Sequence, residues 1–141
     1  MHLILIAVDG SEPSLRAVRH AISTILEGLS AEIHVLNVQP VIILLGEFPV
    51  PDYVLIEKAQ KEQAQAILKS ACSLLDEAGL KYTKHYEIGV VSQVIVDYAK
   101  KHSCDSILMG TRGMGSFGSW VLGSISNQVV HLADVPVTLV K

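Results

Sequence analysis

Leu3 to Val8 is an unbroken apolar run, which predicts a strand covered on both faces. Asp9-Gly10-Ser11 ends it, and Ser11 can cap a helix with Glu12 and Pro13 in its first turn. Leu15, Val18, Ile22, Ile25 and Leu29 then recur at spacings of three and four, a helical stripe that runs out near Gly28. Ile33, Val35, Leu36 and Val38 predict a second strand. Gln39 to Pro51 is irregular, with three prolines and Gly46. Its apolar segment Val41–Leu45 has no place in a sheet and reads as a contact surface or as a cover over a crevice. Asp52 to Ala78 has the composition of a long helix, about 40 Å at 1.5 Å per residue, and stops at Gly79. Tyr82–Glu87 predicts a strand, Ser92–Lys101 a helix and Ser106–Met109 a short buried strand. A glycine-rich stretch follows, then a helix over Ser124–Leu132 and a last strand over Val137–Val140.

Strands and helices alternating in this way predict a parallel sheet joined by right-handed crossovers. Such sheets bind ligands at the carboxyl ends of their strands, where the strand order reverses. Asp9 and Gly110 each follow a strand. With the first and fourth strands as neighbours, the two residues line one crevice.

Composition narrows the picture. A chain of 141 residues suits one domain, and 50% hydrophobic with 18% charged residues excludes disorder. A net charge of −3 leaves no basic footprint for nucleic acid. Gly113 to Ala133 is uncharged and long enough for a bilayer, but its four glycines, four serines, Asn127, Gln128 and His131 argue against a membrane span. Met1–Val8 lacks the basic start of a signal peptide. Cys72 and Cys104 form neither a metal spacing nor a disulfide framework. The expected setting is soluble and cytoplasmic, with no membrane partner.

Five of the ten glycines fall between Gly110 and Gly123, which marks a loop whose backbone has a specific task. Three phosphate-binding patterns can be laid on it. Gly113-x-Gly115-x-x-Gly118 matches a dinucleotide fingerprint, but the end of the next strand carries Lys141 where that fingerprint needs an acid. Gly118-x4-Gly123-Ser124 is a P-loop without its lysine. The third is Gly110-x2-Gly113-x9-Gly123-Ser124. With Ala7-Val8-Asp9-Gly10-Ser11, the second-strand run His34–Val38, and Gly123-Ser124-Ile125-Ser126 leading to Val135-Pro136-Val137, the chain resembles the nucleotide-binding branch of the universal stress protein family along its full length.

Backbone amides at Gly113, Gly123, Ser124 and Ile125 can cradle phosphates, because a Cβ would block the approach and a helix N-terminus favours anions. Ser124 either caps the helix or offers its hydroxyl. The resemblance implies that Asp9 contacts the ribose or a phosphate-bound metal, that Val38 offers backbone groups to adenine, and that Met109 and Gly110 flank the nucleotide. Arg112, the one cation of the loop, is a candidate phosphate contact; its rival reading is a solvated side chain. Asp9 reads equally as a turn-former. The six histidines show no paired metal spacing. His20, His34, His85 and His102 read as surface or packing residues, and His131 as structural. Cys72 takes a core-side helical position. Phe117 and Trp120 either pack or cover the site.

The expectation is a single doubly wound α/β domain over residues 1–141, its parallel sheet ordered 3-2-1-4-5 with helices on both faces. It binds ATP or AMP with Mg²⁺ and acts as a nucleotide-responsive regulator in stress response. No nucleophile–base pair is visible in the glycine loop, nothing resembles a triad and no catalytic residue stands out, so hydrolysis is expected to be slow at most. A non-nucleotide-binding interaction module of the same fold, or a dinucleotide-binding protein, is the alternative. The resemblance further implies a homodimer through Val137–Val140, and an apolar edge strand supplies the physical motive. The downstream protein partner is unknown.

Overall fold

Each expected strand finds parallel neighbours in one five-stranded sheet of a computed structural model that describes residues 1–43, 46, 52–111 and 123–141. The strands are β1 (His2–Ala7), β2 (Ala31–Gln39), β3 (Thr83–Ile88), β4 (Ser106–Gly110) and β5 (Val137–Val140), in the spatial order β3-β2-β1-β4-β5. Leu5 stands opposite His34 on one side and Ile107 on the other, so β1 is the centre of the sheet. The helices are α1 (Glu12–Leu26), α2 (Tyr53–Glu77), α3 (Val91–Lys101) and α4 (Ser124–Leu132).

Successive side chains of a strand point to opposite faces, and the sheet separates two cores accordingly. Ile4, Ile6, Ile33 and Val35 pack with Val18 of α1 and Leu68, Ala71 and Leu75 of α2. Leu5, Ala7, Leu36, Ile107 and Met109 pack with Ile95 and Ala99 of α3 and Val129 of α4. Burial on both faces explains why β1 and β4 read as continuous apolar runs. β3 lies at one edge with four of its six residues exposed, and β5 lies at the other.

Local chemistry sets the helix ends. Ser11 caps α1 by accepting from the Ser14 amide. Asp52 caps α2 by accepting from Val54 and Leu55. Gly79, at φ +71°, carries the chain out of α2. α1 stops at Leu26, so Leu29 continues the helical spacing but lies outside the helix and is exposed. Cys72 is buried in the core as expected. His34 is a packing residue, with Nδ1 2.8 Å from the Tyr98 hydroxyl. His131 is exposed on α4, at odds with a structural role. Among the described residues no helix is long and apolar enough to cross a membrane.

Candidate functional site

The carboxyl ends of β1, β2 and β4 open into a crevice of about 460 Å³, within the range of small-molecule sites. It lies where the chain order reverses, with β2 on one side of β1 and β4 on the other. Of the expected residues, Asp9, Val38, Met109, Gly110, Gly123, Ser124 and Ile125 all line it. Arg112 and Gly113 lie outside the described residues, as do Phe117 and Trp120. Of the Val41–Leu45 segment, Val41, Ile42 and Ile43 are exposed, and Leu44 and Leu45 fall outside the described residues.

Asp9 forms the turn between β1 and α1. Its Oδ1 accepts from the Ser11 amide at 2.9 Å and from the Ser11 hydroxyl. Gly10, at φ +85°, supplies the left-handed backbone this turn requires. The turn-forming role is therefore real, and it leaves the carboxylate exposed at the crevice. It is the one charged side chain among the described lining residues.

Opposite Asp9 stands the first turn of α4. Its cap is Gly123, with no side-chain bond, so Ser124 is the first helical residue and does not cap the helix as the sequence allowed. The Gly123 amide is also committed: it donates to the Thr111 carbonyl at 2.8 Å. The first intrahelical bond runs from the Asn127 amide to the Gly123 carbonyl. The helical amides without a partner among the described residues are thus those of Ser124, Ile125 and Ser126, one residue on from the expected Gly123. Thr111 closes the base of the loop, since its own amide donates to Val140 in β5. Ser126 ties α4 to β4 through a 2.9 Å bond from its hydroxyl to the Gly110 carbonyl.

Gly110 is the last residue of β4, and its hydrogen faces the start of α1. A Cβ there would stand 2.7 Å from Pro13 Cβ, 2.8 Å from Pro13 C and 2.9 Å from Ser14 N. Its lack of a side chain serves the close packing of β4 against α1.

Asn37 and Gln39 also line the crevice and were missed in the sequence. Their signal was present: two amides at period two at the end of an apolar strand. Asn37 Nδ2 donates to the Val8 carbonyl at 2.8 Å, and Gln39 Nε2 donates to Asn37 Oδ1 at 2.9 Å. Gln60 of α2 donates to the Pro40 carbonyl, which fixes the chain leaving β2. No group of three or more metal-ligating side chains converges among the described residues. The shifted titrations lie away from the crevice. Burial raises the Cys72 and Cys104 thiols, and burial with His34 and Lys101 lowers His102.

Fold and crevice together define a doubly wound α/β domain with an open crevice at the carboxyl ends of its strands. The chain belongs to the universal stress protein family, whose family model matches residues 1–141. It is 35% identical to universal stress protein MJ0531 of Methanocaldococcus jannaschii, covering 98% of this chain and 81% of that one. It is 30% identical to universal stress protein YxiE of Bacillus subtilis, covering 98% and 97%. Among solved structures, a family protein of Arabidopsis thaliana with AMP bound superposes with a TM-score of 0.72 at 21% identity, covering 100% of this chain and 92% of that one. The Archaeoglobus fulgidus universal stress protein in complex with dAMP gives 0.66 at 24%, covering 100% and 98%.

Proposed function

We propose that the crevice binds an adenine nucleotide, ATP or AMP, and that the protein is a nucleotide-responsive regulator in stress response. The observation that carries this reading is the first turn of α4, whose three amides have no partner among the described residues and belong to residues that line the same crevice as Asp9. Those donors suit a phosphate, and the helix dipole adds to them. The AMP and dAMP complexes of similar structures support an adenine base. Met109 and Gly110 flank the nucleotide, Val38 presents backbone groups to the base, and Asp9 takes the ribose or a metal. Gly113 and Arg112 complete the phosphate contacts.

A carboxylate beside a phosphate site is repulsive unless a cation lies between them. Mg²⁺ resolves this conflict, held by phosphate oxygens and, at most, Asp9. The described lining holds no histidine, cysteine or lysine, and its one hydroxyl–carboxylate contact, Ser11 on Asp9, belongs to the turn that caps α1. Turnover is therefore slow at most, below about 1 s⁻¹.

Calorimetry with ATP, AMP and NAD tests the reading. ATP or AMP is expected to release heat at a one-to-one ratio. Silence from both would favour an interaction module that leaves the crevice empty, and heat from NAD alone would favour a dinucleotide.

β5 is an edge strand whose Val137, Leu139 and Val140 are half-buried within one chain. We propose that it pairs with β5 of a second copy, which removes the open edge. The exposed Thr138 lies at that edge, and Thr138→Lys sets two like charges against each other. Light scattering should give twice 15.2 kDa for the parent chain and 15.2 kDa for the variant. A parent of single-chain mass at working concentration refutes the dimer.

A further inference from the structure

The amide pair at the end of β2 has a fixed polarity. The Val8 carbonyl can only accept, so Asn37 must turn its nitrogen toward it, at 2.8 Å. Asn37 then presents Oδ1 to Gln39, whose Nε2 donates at 2.9 Å. Turning Gln39 over would set oxygen against oxygen. Turning both over would set the Asn37 oxygen against the Val8 carbonyl. Gln39 is thus held with Oε1 as its remaining acceptor.

Gln39 is only 5% exposed, and it lines the crevice wall. Among the described residues no buried side-chain polar atom lacks a partner, and none donates to Gln39 Oε1. The oxygen is therefore not sealed in the interior, and the residue that carries it lines the crevice.

We infer that Gln39 Oε1 accepts a hydrogen bond from the exocyclic amine of the base, and that this makes the site select a 6-amino-purine over a 6-oxo-purine. The inference rests on the adenine-nucleotide reading above. Placement supports it. The α4 amides sit over β4, where Ser126 bonds Gly110, and Gln39 ends β2, with β1 between them. Two strand spacings, about 10 Å, separate the two ends. A ligand with its phosphate at α4 carries its far end to Gln39. Ile67, Val91 and Ile95 also line the crevice and suit the faces of a base. A 6-oxo base would set its carbonyl against Oε1 and leave both acceptors unpaired, which is the costly arrangement.

Competitive titration of the full chain with ATP, inosine triphosphate and purine riboside triphosphate, which lacks the amine, tests this. The parent protein is expected to bind ATP about tenfold more tightly than either analogue, a factor that corresponds to one good hydrogen bond. Gln39→Met keeps the side-chain length and loses the acceptor, and it should bring the ATP-to-analogue ratio close to one. Should that variant fail to unfold cooperatively, Gln39→Ala, which leaves Asn37 on the Val8 carbonyl and opens room for solvent beside Asn37 Oδ1, serves the same purpose. Equal affinities in the parent, or a ratio that survives in the variants, would overturn the inference while leaving nucleotide binding intact. Binding of none of the three nucleotides would overturn the adenine reading itself.

Discussion

Gly110→Ala is expected to lower the unfolding midpoint by roughly 5–10 °C, a loss of about 2 kcal/mol. The added methyl would meet Pro13 and the Ser14 amide at 2.7–2.9 Å, and two of those three contacts are backbone. A side chain could rotate away, but the first turn of a helix cannot. Relief requires α1 to lift from β4, and α1 carries Val18 and Ala21 into the core. The same movement disturbs Ser11 and Ser14, which line the crevice, and so nucleotide affinity should fall with stability. Thermal unfolding, followed by titration at a temperature where the variant is folded, measures both effects. An unchanged midpoint would mean that β4 and α1 are less closely packed than the structure has them.

Ser124→Pro should weaken nucleotide binding tenfold or more without loss of stability. Ser124 is the first residue of α4, where its amide has no partner within the helix and where proline is well tolerated. The residue before a proline must be extended, and Gly123 already is, at φ −58° and ψ 152°. The substitution therefore removes one donor from the cradle and leaves the helix in place. A hydrogen bond to a charged phosphate contributes about 1.5–3 kcal/mol, and 1.4 kcal/mol is a factor of ten. Ser124→Ala, which keeps the amide and loses the hydroxyl, separates the two groups. An equal loss in both variants would make the hydroxyl the contact. Full affinity in the proline variant would remove Ser124 from the site.

Much of this architecture is legible in the chain because the periodic signals are strong. Ser124–Leu132 and Val137–Val140 fall where the pattern puts them, and the order β3-β2-β1-β4-β5 is as expected. Pattern reading fails where bonding is decided by residues distant in sequence. Ser124 looks like a cap, but Gly123 takes that position, its carbonyl accepting from Asn127 while its amide donates to Thr111. Asn37 and Gln39 look like interruptions of an apolar strand until Val8 is placed beside them. Gly110 looks like one more member of a phosphate loop, whereas its missing Cβ is required by Pro13, which lies far away along the chain. Asp9 is a case where both readings hold, since one oxygen makes the turn and the residue still opens on the crevice.

The bond from Gly123 to Thr111, and that from Thr111 to Val140, hold the start of α4 against the sheet with backbone alone. Ser126 adds a side-chain bond to the end of β4. The amides proposed to meet a phosphate are thus positioned by bonds within the fold rather than by the arrival of a ligand. An anion entering the crevice meets amides already aimed, and it need not supply the entropy of ordering them. Affinity at this end of the site then rests on electrostatic fit, and the helix start contributes as a preorganised fixture instead of a segment that must be gathered around its guest.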